Sequence, residues 1–270
     1  RRRLPVGGRS SKEPTMHLFL LGATGNMGQR LLAQGLARGH AITACVRNRA
    51  KLGQQLGATL PQGLTIVEGG TDDPAALQAA MAGHDAVINC AGYVADGAAF
   101  TALVDRVVTA AEGALGPNGR LWLFGGAGAL DVPGTDLMGV DLPGVPALYR
   151  AHQANARRVA ASSLDWSMMC PGPMVASASG EARADLRVSR DVWPFQPPGI
   201  TRWLPRVALS LAFKQHMPEL VVSYDDVAGV LLDHLAPGGR FSRARVGVAL
   251  PPGQRGEKVY QQGGKTVKVG

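Results

Sequence analysis

The sequence predicts an α/β fold, a doubly wound parallel sheet with a small irregular cap near its C-terminal end. Three observations predict it. Short apolar runs alternate with longer helical segments from His17 onward, the pattern of strands covered on both faces by crossover helices. Turn residues separate the runs, and a glycine-rich turn joins the first run to the first helix. The chain of 270 residues is 46% hydrophobic and 18% charged, which suffices for a packed core and excludes a disordered chain.

The strands fall at His17–Leu21, Ala41–Val46, Leu64–Val67, Asp85–Cys90, Leu121–Phe124 and Trp166–Met169. Between them, Asn26–Arg38, Pro74–Ala82, Ala98–Glu112 and Leu148–Ser162 read as crossover helices, with Asp73 as an N-cap before proline at the first helical position. Six strands joined by right-handed crossovers wind on both sides of a switch point. After Pro171 the regularity fails, and residues 177–220, rich in Pro, Ser, Arg and Trp, read as a substrate-side cap. Ser223-Tyr-Asp-Asp226 has the pattern of a capping box opening a helix to about Leu235, and Ala244–Leu250 reads as a last strand. One domain therefore spans residues 16–250. Residues 1–15 are expected to be an extension without fold content, a transit peptide being the alternative, and 251–270 a basic, loosely held tail.

The segment Leu20-Leu-Gly-Ala-Thr-Gly-Asn-Met-Gly28 carries the chemistry. It follows the first strand and opens the first helix, where a dinucleotide site needs it. Gly22 allows the tight turn, Gly25 admits a pyrophosphate to the backbone, and Gly28 permits close helix packing. Amides around Thr24, Asn26 and Met27 then face the phosphates, and the helix end adds roughly half a positive charge. A glycine-rich turn without a ligand is the plain alternative. At the end of the second strand, where NAD enzymes place an acid for the ribose hydroxyl, stands Arg47, followed by Arg49 and Lys51. That points to NADP, with NADPH preferred over NADH; a solvated loop arginine is the alternative.

The spacing is Gly-x-x-Gly-x-x-Gly. With Ala41-Ile-Thr-Ala-Cys-Val-Arg-Asn48, Asp85-Ala-Val-Ile-Asn-Cys-Ala-Gly92, Leu123-Phe-Gly-Gly-Ala-Gly-Ala-Leu130 and Leu164-Asp-Trp-Ser-Met-Met-Cys-Pro-Gly172, it resembles the atypical branch of the short-chain dehydrogenase/reductase superfamily, the NmrA-like and biliverdin-reductase-B-like NAD(P)H-binding proteins. The Gly-Gly-Ala-Gly run and the Leu-Asp-Trp segment are most similar to the NADH-flavin reductase type of that branch. The resemblance implies a Rossmann-like sheet, with Ala91 and Gly92 against the adenosine ribose and Pro171, Gly172, Pro173 and Met174 flanking the nicotinamide. Family members often carry Gly-Asp after the third strand, where this chain has Gly69-Gly70, and Asp72 and Asp73 are expected to serve the next turn and cap.

Full members of that superfamily use a serine after the fifth strand and a Tyr-x-x-x-Lys pair, the lysine lowering the tyrosine pKa. Here the strand ends Phe124-Gly-Gly126, and Tyr149-Arg-Ala-His-Gln153 puts glutamine at the lysine position. Counting back from Leu164-Asp-Trp166 instead puts the lysine position near His152. Tyr149 and His152 are the catalytic candidates, three residues apart on one side of a helix; His152, with an ordinary pKa near 6.5, is able to donate a proton unaided. Their plain alternatives are a tyrosine packed on the cap and a solvated histidine. Flavins, quinones and linear tetrapyrroles take a hydride without a precise protein acid, so proximity and orientation carry the catalysis. Trp193, Phe195 and Trp203 are candidates to line the acceptor pocket, core or lid packing being the commoner role of aromatics in such a segment.

The expected function is therefore NADP(H)-dependent hydride transfer to a planar small-molecule acceptor. Its rivals are a non-catalytic NADP(H) sensor of NmrA type and an isomerase that returns the hydride. The formal charge of +8 sits mostly in the ends: residues 1–15 carry +4 and residues 251–270 carry +3, leaving +1 between them. No specific nucleic-acid face is expected. The apolar stretches are too short for a membrane span. Cys45, Cys90 and Cys170 form no Cys-x-x-Cys pair, which favours a reducing cytoplasm; all three end strands and read as small buried hydrophobes, Cys170 being the one to watch for exposure in the site. No metal site is expected.

Overall fold

The computed structural model describes residues 15–57, 59–177, 179–195, 203–262 and 265–269. The extension at residues 1–14 and part of the predicted cap, residues 196–202, lie outside the described residues.

The first half alternates strictly. β1 (His17–Leu21), α1 (Asn26–Ala37), β2 (Ala41–Val46), α2 (Arg49–Leu56), β3 (Leu64–Glu68), α3 (Pro74–Met81), β4 (Ala86–Asn89), α4 (Ala98–Leu115), β5 (Arg120–Phe124), α5 (Arg150–Ala160) and β6 (Asp165–Met169) follow in turn. Then come β7 (Met174–Val175), β8 (Arg187–Arg190), α6 (Arg206–His216), β9 (Val222–Ser223), α7 (Tyr224–Leu232), β10 (Ala244–Ala249) and the hairpin β11 (Lys258–Gln262) and β12 (Lys265–Val269). The main sheet has eight strands in the order β3-β2-β1-β4-β5-β6-β10-β8, parallel throughout except for β8. Chain order reverses between β1 and β4, so a crevice opens beyond Leu21 and Asn89, which are partners across that pair.

Apolar residues occupy both faces of the central strands. In β1, Phe19 and Leu21 join one buried cluster with α3, α4 and α5, while Leu18 and Leu20 join the other with α1 and α7. Alternate side chains of a strand point to opposite faces, so a strand between two helix layers reads as an unbroken apolar run.

Five sequence expectations need correction. The helix α2 was not expected; it buries only Leu52, so its apolar pattern is faint, although the Asn48 side chain caps it by accepting from the Lys51 amide at 2.9 Å. The helix expected over Leu148–Ser162 is a 3₁₀ turn, Ala147–Tyr149, followed by α5. Residues 177–220 are not uniformly irregular. They contain α6 and β8, the latter an antiparallel edge strand with two arginines in four residues, a composition suited to a half-wet edge. The sheet accordingly has eight strands rather than the seven expected. The polar tail contains the β11–β12 hairpin. No described helix is long and apolar enough to cross a membrane.

Candidate coenzyme site

At the switch point β1 ends in a turn where Gly22 adopts φ +81°, a region unfavourable to side chains. A Cβ there would lie 2.7 Å from the Ala91 nitrogen and the Cys90 carbonyl carbon, so Gly22 lets the loop cross the end of β4. Gly28 is closed in as tightly: its Cβ would fall 2.2 Å from the Gly22 oxygen. Gly25 differs. Its φ is −84°, and its Cβ would meet only the Gly22 oxygen, at 3.4 Å. Contacts within the protein account for two of the glycines and not for the third.

The loop's carbonyls are occupied. The Gly25 amide donates to the Gly22 oxygen at 3.0 Å, the Gln29 side chain to the Ala23 oxygen at 2.7 Å, and the Gln55 side chain to the Thr24 oxygen at 3.2 Å. The first-turn amides of α1, from Asn26 to Gly28, have no intrahelical acceptor, no side-chain cap and no acidic neighbour in the turn. Such a nest of donors fits a diphosphate.

From the loop the site runs along the carboxyl ends of β4 and β5. The Ala91 amide donates to the Asn89 side chain at 3.1 Å, and Gly92, at φ +111°, takes a position where a Cβ would strike the Phe100 ring at 2.5 Å. Phe100 meets His152 edge to face at 5.7 Å, and Tyr149 stacks on the other side of His152 at 6.1 Å. The structure thus brings the two catalytic candidates together. Gly126, after β5, lies against the same ring: a Cβ there would fall 3.1 Å from His152, a tight contact. Behind them the Ala127 amide donates to the Pro171 oxygen at 2.9 Å, and Gly172 lies under the Leu220 carbonyl, which a Cβ would approach to 2.5 Å.

His152 is neither solvated nor a proton donor at neutral pH, contrary to the sequence expectation. It is 8% exposed, and burial pushes its pKa down from 6.5 to about 4. Its Nδ1 has no hydrogen-bond partner among the described residues. Tyr149, by contrast, is 39% exposed. The depressed pKa has a consequence for stability. Between pH 6.5 and 4 the unfolded chain takes up a proton at this residue and the folded chain does not, so the contribution is complete above pH 6.5 and falls as the pH is lowered. We expect a loss of about 3 kcal/mol over that window, to which His152→Gln is insensitive. Parallel melting profiles of parent and variant between pH 7 and 4 would contradict this.

Arg47 is exposed beyond the end of β2. It borders a cleft of about 680 Å³ with Asn48, Arg49, Gly53, Ile66 and Glu68. Gly69, Gly70, Asp72 and Asp73 continue this lining on the side of β3. Arg49 is committed elsewhere, donating to the Ile66 oxygen at 2.8 Å. Asp72 pairs with Arg106 at 3.2 Å, and Asp73 caps α3 by accepting from Ala76 at 3.0 Å, as the sequence predicts.

Two of the three pocket candidates take the core-packing alternative. Trp193 and Phe195 are both 2% exposed and stack on each other at 5.0 Å, with Phe213 at 4.8 Å from Trp193; they are the core of the cap and line no acceptor pocket. Trp203 is exposed on the surface. Cys170 is buried beside Gly125, as expected of a small hydrophobe at a strand end, its thiol pushed up to about 12 by burial. Sequence reasoning missed Phe100, Gln29 and Gln55. No motif marks them, because each acts through a contact that only folding creates.

Comparison with known proteins agrees with this geometry. A family model described as NAD(P)H-binding matches residues 22–203. No curated protein matches the chain. Among solved structures, a Rossmann-fold NAD(P)-binding family protein from Shigella flexneri superposes with a TM-score of 0.63 at 18% identity, over 92% of this chain and 99% of that one. A wide-type short-chain dehydrogenase/reductase from Veillonella parvula, in complex with NADP, gives 0.62 at 16%, over 88% and 96%. A candidate NADH-flavin reductase from Streptococcus pneumoniae gives 0.59 at 20%, over 87% and 100%. At these identities the likeness shows the fold.

Proposed function

Because the chain belongs to the NAD(P)H-binding family, we propose that it is an NADP(H)-dependent reductase that passes hydride to a planar acceptor such as a flavin or quinone. One observation carries the reading: Gly25 stands open in a loop whose other two glycines are closed in, beside uncapped helix amides.

Gly22, Thr24, Gly25, Asn26, Met27 and Gly28 form the phosphate cradle, and Ala91 and Gly92 leave room for the adenosine ribose. Arg47 takes the 2′-phosphate, at the mouth of the cleft it shares with Arg49 and Glu68. Pro171 to Met174 back the nicotinamide, whose reduced form supplies the hydride when bound. Neutral His152 fixes the Tyr149 ring by stacking, and Tyr149 presents its hydroxyl at the open side. Gln153 stands at the lysine position of the Tyr-x-x-x-Lys pair, so the residues suit acceptors that complete their protonation from solvent. Orientation supplies the rate.

The three cysteines are free thiols, which supports a reducing, cytoplasmic setting for the same reading. A second reading, a non-catalytic NADP(H) sensor, is favoured by His152 filling the space over Gly126 where a catalytic serine would stand.

The test is NADPH consumption with a flavin, a quinone and a linear tetrapyrrole in turn, together with binding constants for NADPH and NADH. We expect turnover with at least one acceptor, and Arg47→Ala to weaken NADPH roughly tenfold to a hundredfold while leaving NADH unchanged. Binding without turnover selects the sensor. Equal affinity of the parent for the two coenzymes removes the NADP assignment.

A further inference from the structure

The helices α1 and α7 are separated by most of the chain, yet they run side by side in the same direction. Arg30 pairs with the buried Asp225 at 3.3 Å, the Gln34 side chain donates to the Asp225 oxygen at 3.1 Å, and Arg38 pairs with Asp233 at 2.6 Å. Their N-termini therefore lie together at the phosphate cradle. Asn26, the first residue of α1, donates its side-chain amide to the Tyr224 hydroxyl, the first residue of α7, at 3.4 Å. The partner strand of α7's lead-in is equally telling. Met174 and Val175 pair with Val222 and Ser223, so Tyr224 also follows directly on the strand that flanks the nicotinamide loop.

Tyr224 thus stands between the loop that holds the phosphates and the loop that backs the nicotinamide. Its hydroxyl accepts from Asn26, which leaves its own hydrogen to be donated, and among the described residues it donates to no acceptor. The amides of α7 itself are not available to an anion, since Ser223 and Asp226 cap one another and Asp225 adds a second carboxylate. What α7 offers the site is the phenol.

We propose that Tyr224 is a coenzyme-binding residue whose hydroxyl donates to the diphosphate bridge, opposite the amides of Asn26 to Gly28. This rests on the coenzyme reading above and adds a contact from the C-terminal part of the chain, beyond the Gly-x-x-Gly-x-x-Gly motif. A hydroxyl bonded to a charged oxygen gives roughly tenfold or more in affinity.

The test uses the full chain and its Tyr224→Phe variant, titrated calorimetrically with NADPH, NADH and adenosine 2′-monophosphate, which lacks the diphosphate. We expect the variant to weaken both dinucleotides by about tenfold, because the bridge is common to them, and to bind adenosine 2′-monophosphate as the parent does. Retained binding of the mononucleotide also shows that the variant is folded at the adenine end. Unchanged dinucleotide affinity overturns the proposal, as does an equal loss for the mononucleotide, which would mark a general distortion. If the parent binds neither dinucleotide, the coenzyme reading itself fails.

Discussion

Gly25→Ala should leave the unliganded protein within about 1 kcal/mol of the parent and abolish measurable coenzyme binding, whereas Gly22→Ala and Gly28→Ala should destabilise the fold itself. The three glycines look equivalent in the motif and are not equivalent in space. Alanine at 25 keeps an ordinary φ of −84° and touches only the Gly22 oxygen, at 3.4 Å. Its methyl group would nonetheless occupy the surface that a diphosphate must reach. Each phosphate–amide bond is worth about 1.5–3 kcal/mol, so displacing two of them costs a hundredfold or more. At 22 the positive φ and the contact with β4 combine, and at 28 the clash is with backbone that has nowhere to move; about 2–4 kcal/mol is expected for each. Melting curves with and without NADPH separate the cases. A Gly25→Ala protein that binds NADPH as the parent does would remove the observation on which the proposed function rests.

Arg120→Met should be the most destabilising single change in the sheet. Arg120 is almost fully buried, and its guanidinium donates to the Asp165 carboxylate at 3.3 Å and to the oxygens of Asp165, His234 and Leu235 at 3.2, 3.0 and 3.1 Å. It lies 4.8 Å from the centre of the Trp122 ring. Burial pulls its pKa down to about 10, with Asp165 opposing, so it remains charged at neutral pH. Methionine would fill the volume and strand a buried carboxylate and three carbonyls. Removing one partner of such a pair costs about 3–5 kcal/mol, or roughly 10 °C in melting temperature for a domain of this size. Asp165→Asn should cost less, because an amide still accepts from Arg120 and from the Gly238 amide that bonds Oδ2 at 2.6 Å. These residues lie at the strand starts, opposite the coenzyme site, so NADPH affinity should be unchanged below the melting transition. Equal melting of Arg120→Met and parent would show that the pair contributes nothing.

Much of the architecture was readable because it is encoded locally. β1 and β2 were located to the residue, and the Asp73 and Ser223 caps appear where a capping side chain precedes a helix by the required spacing. The helix α2 was hidden because one buried residue makes no periodicity. β8 was hidden because an edge strand rich in arginine resembles a loop. The cap aromatics stayed open for a different reason: Trp193 and Phe195 are suited both to a pocket wall and to a core, and composition does not distinguish the two.

By itself the sequence determined the order of the strands from β1 to β6, the glycine-rich turn after β1 and the basic residue after β2, because each depends on residues within a few positions of one another. Tertiary structure alone decided that His152 is neutral, that Gly126 leaves room for its ring, and that Tyr224 meets Asn26 across 198 positions. A pKa depends on the water a group has lost, and a contact depends on how two helices pack. Neither quantity exists until the chain has folded.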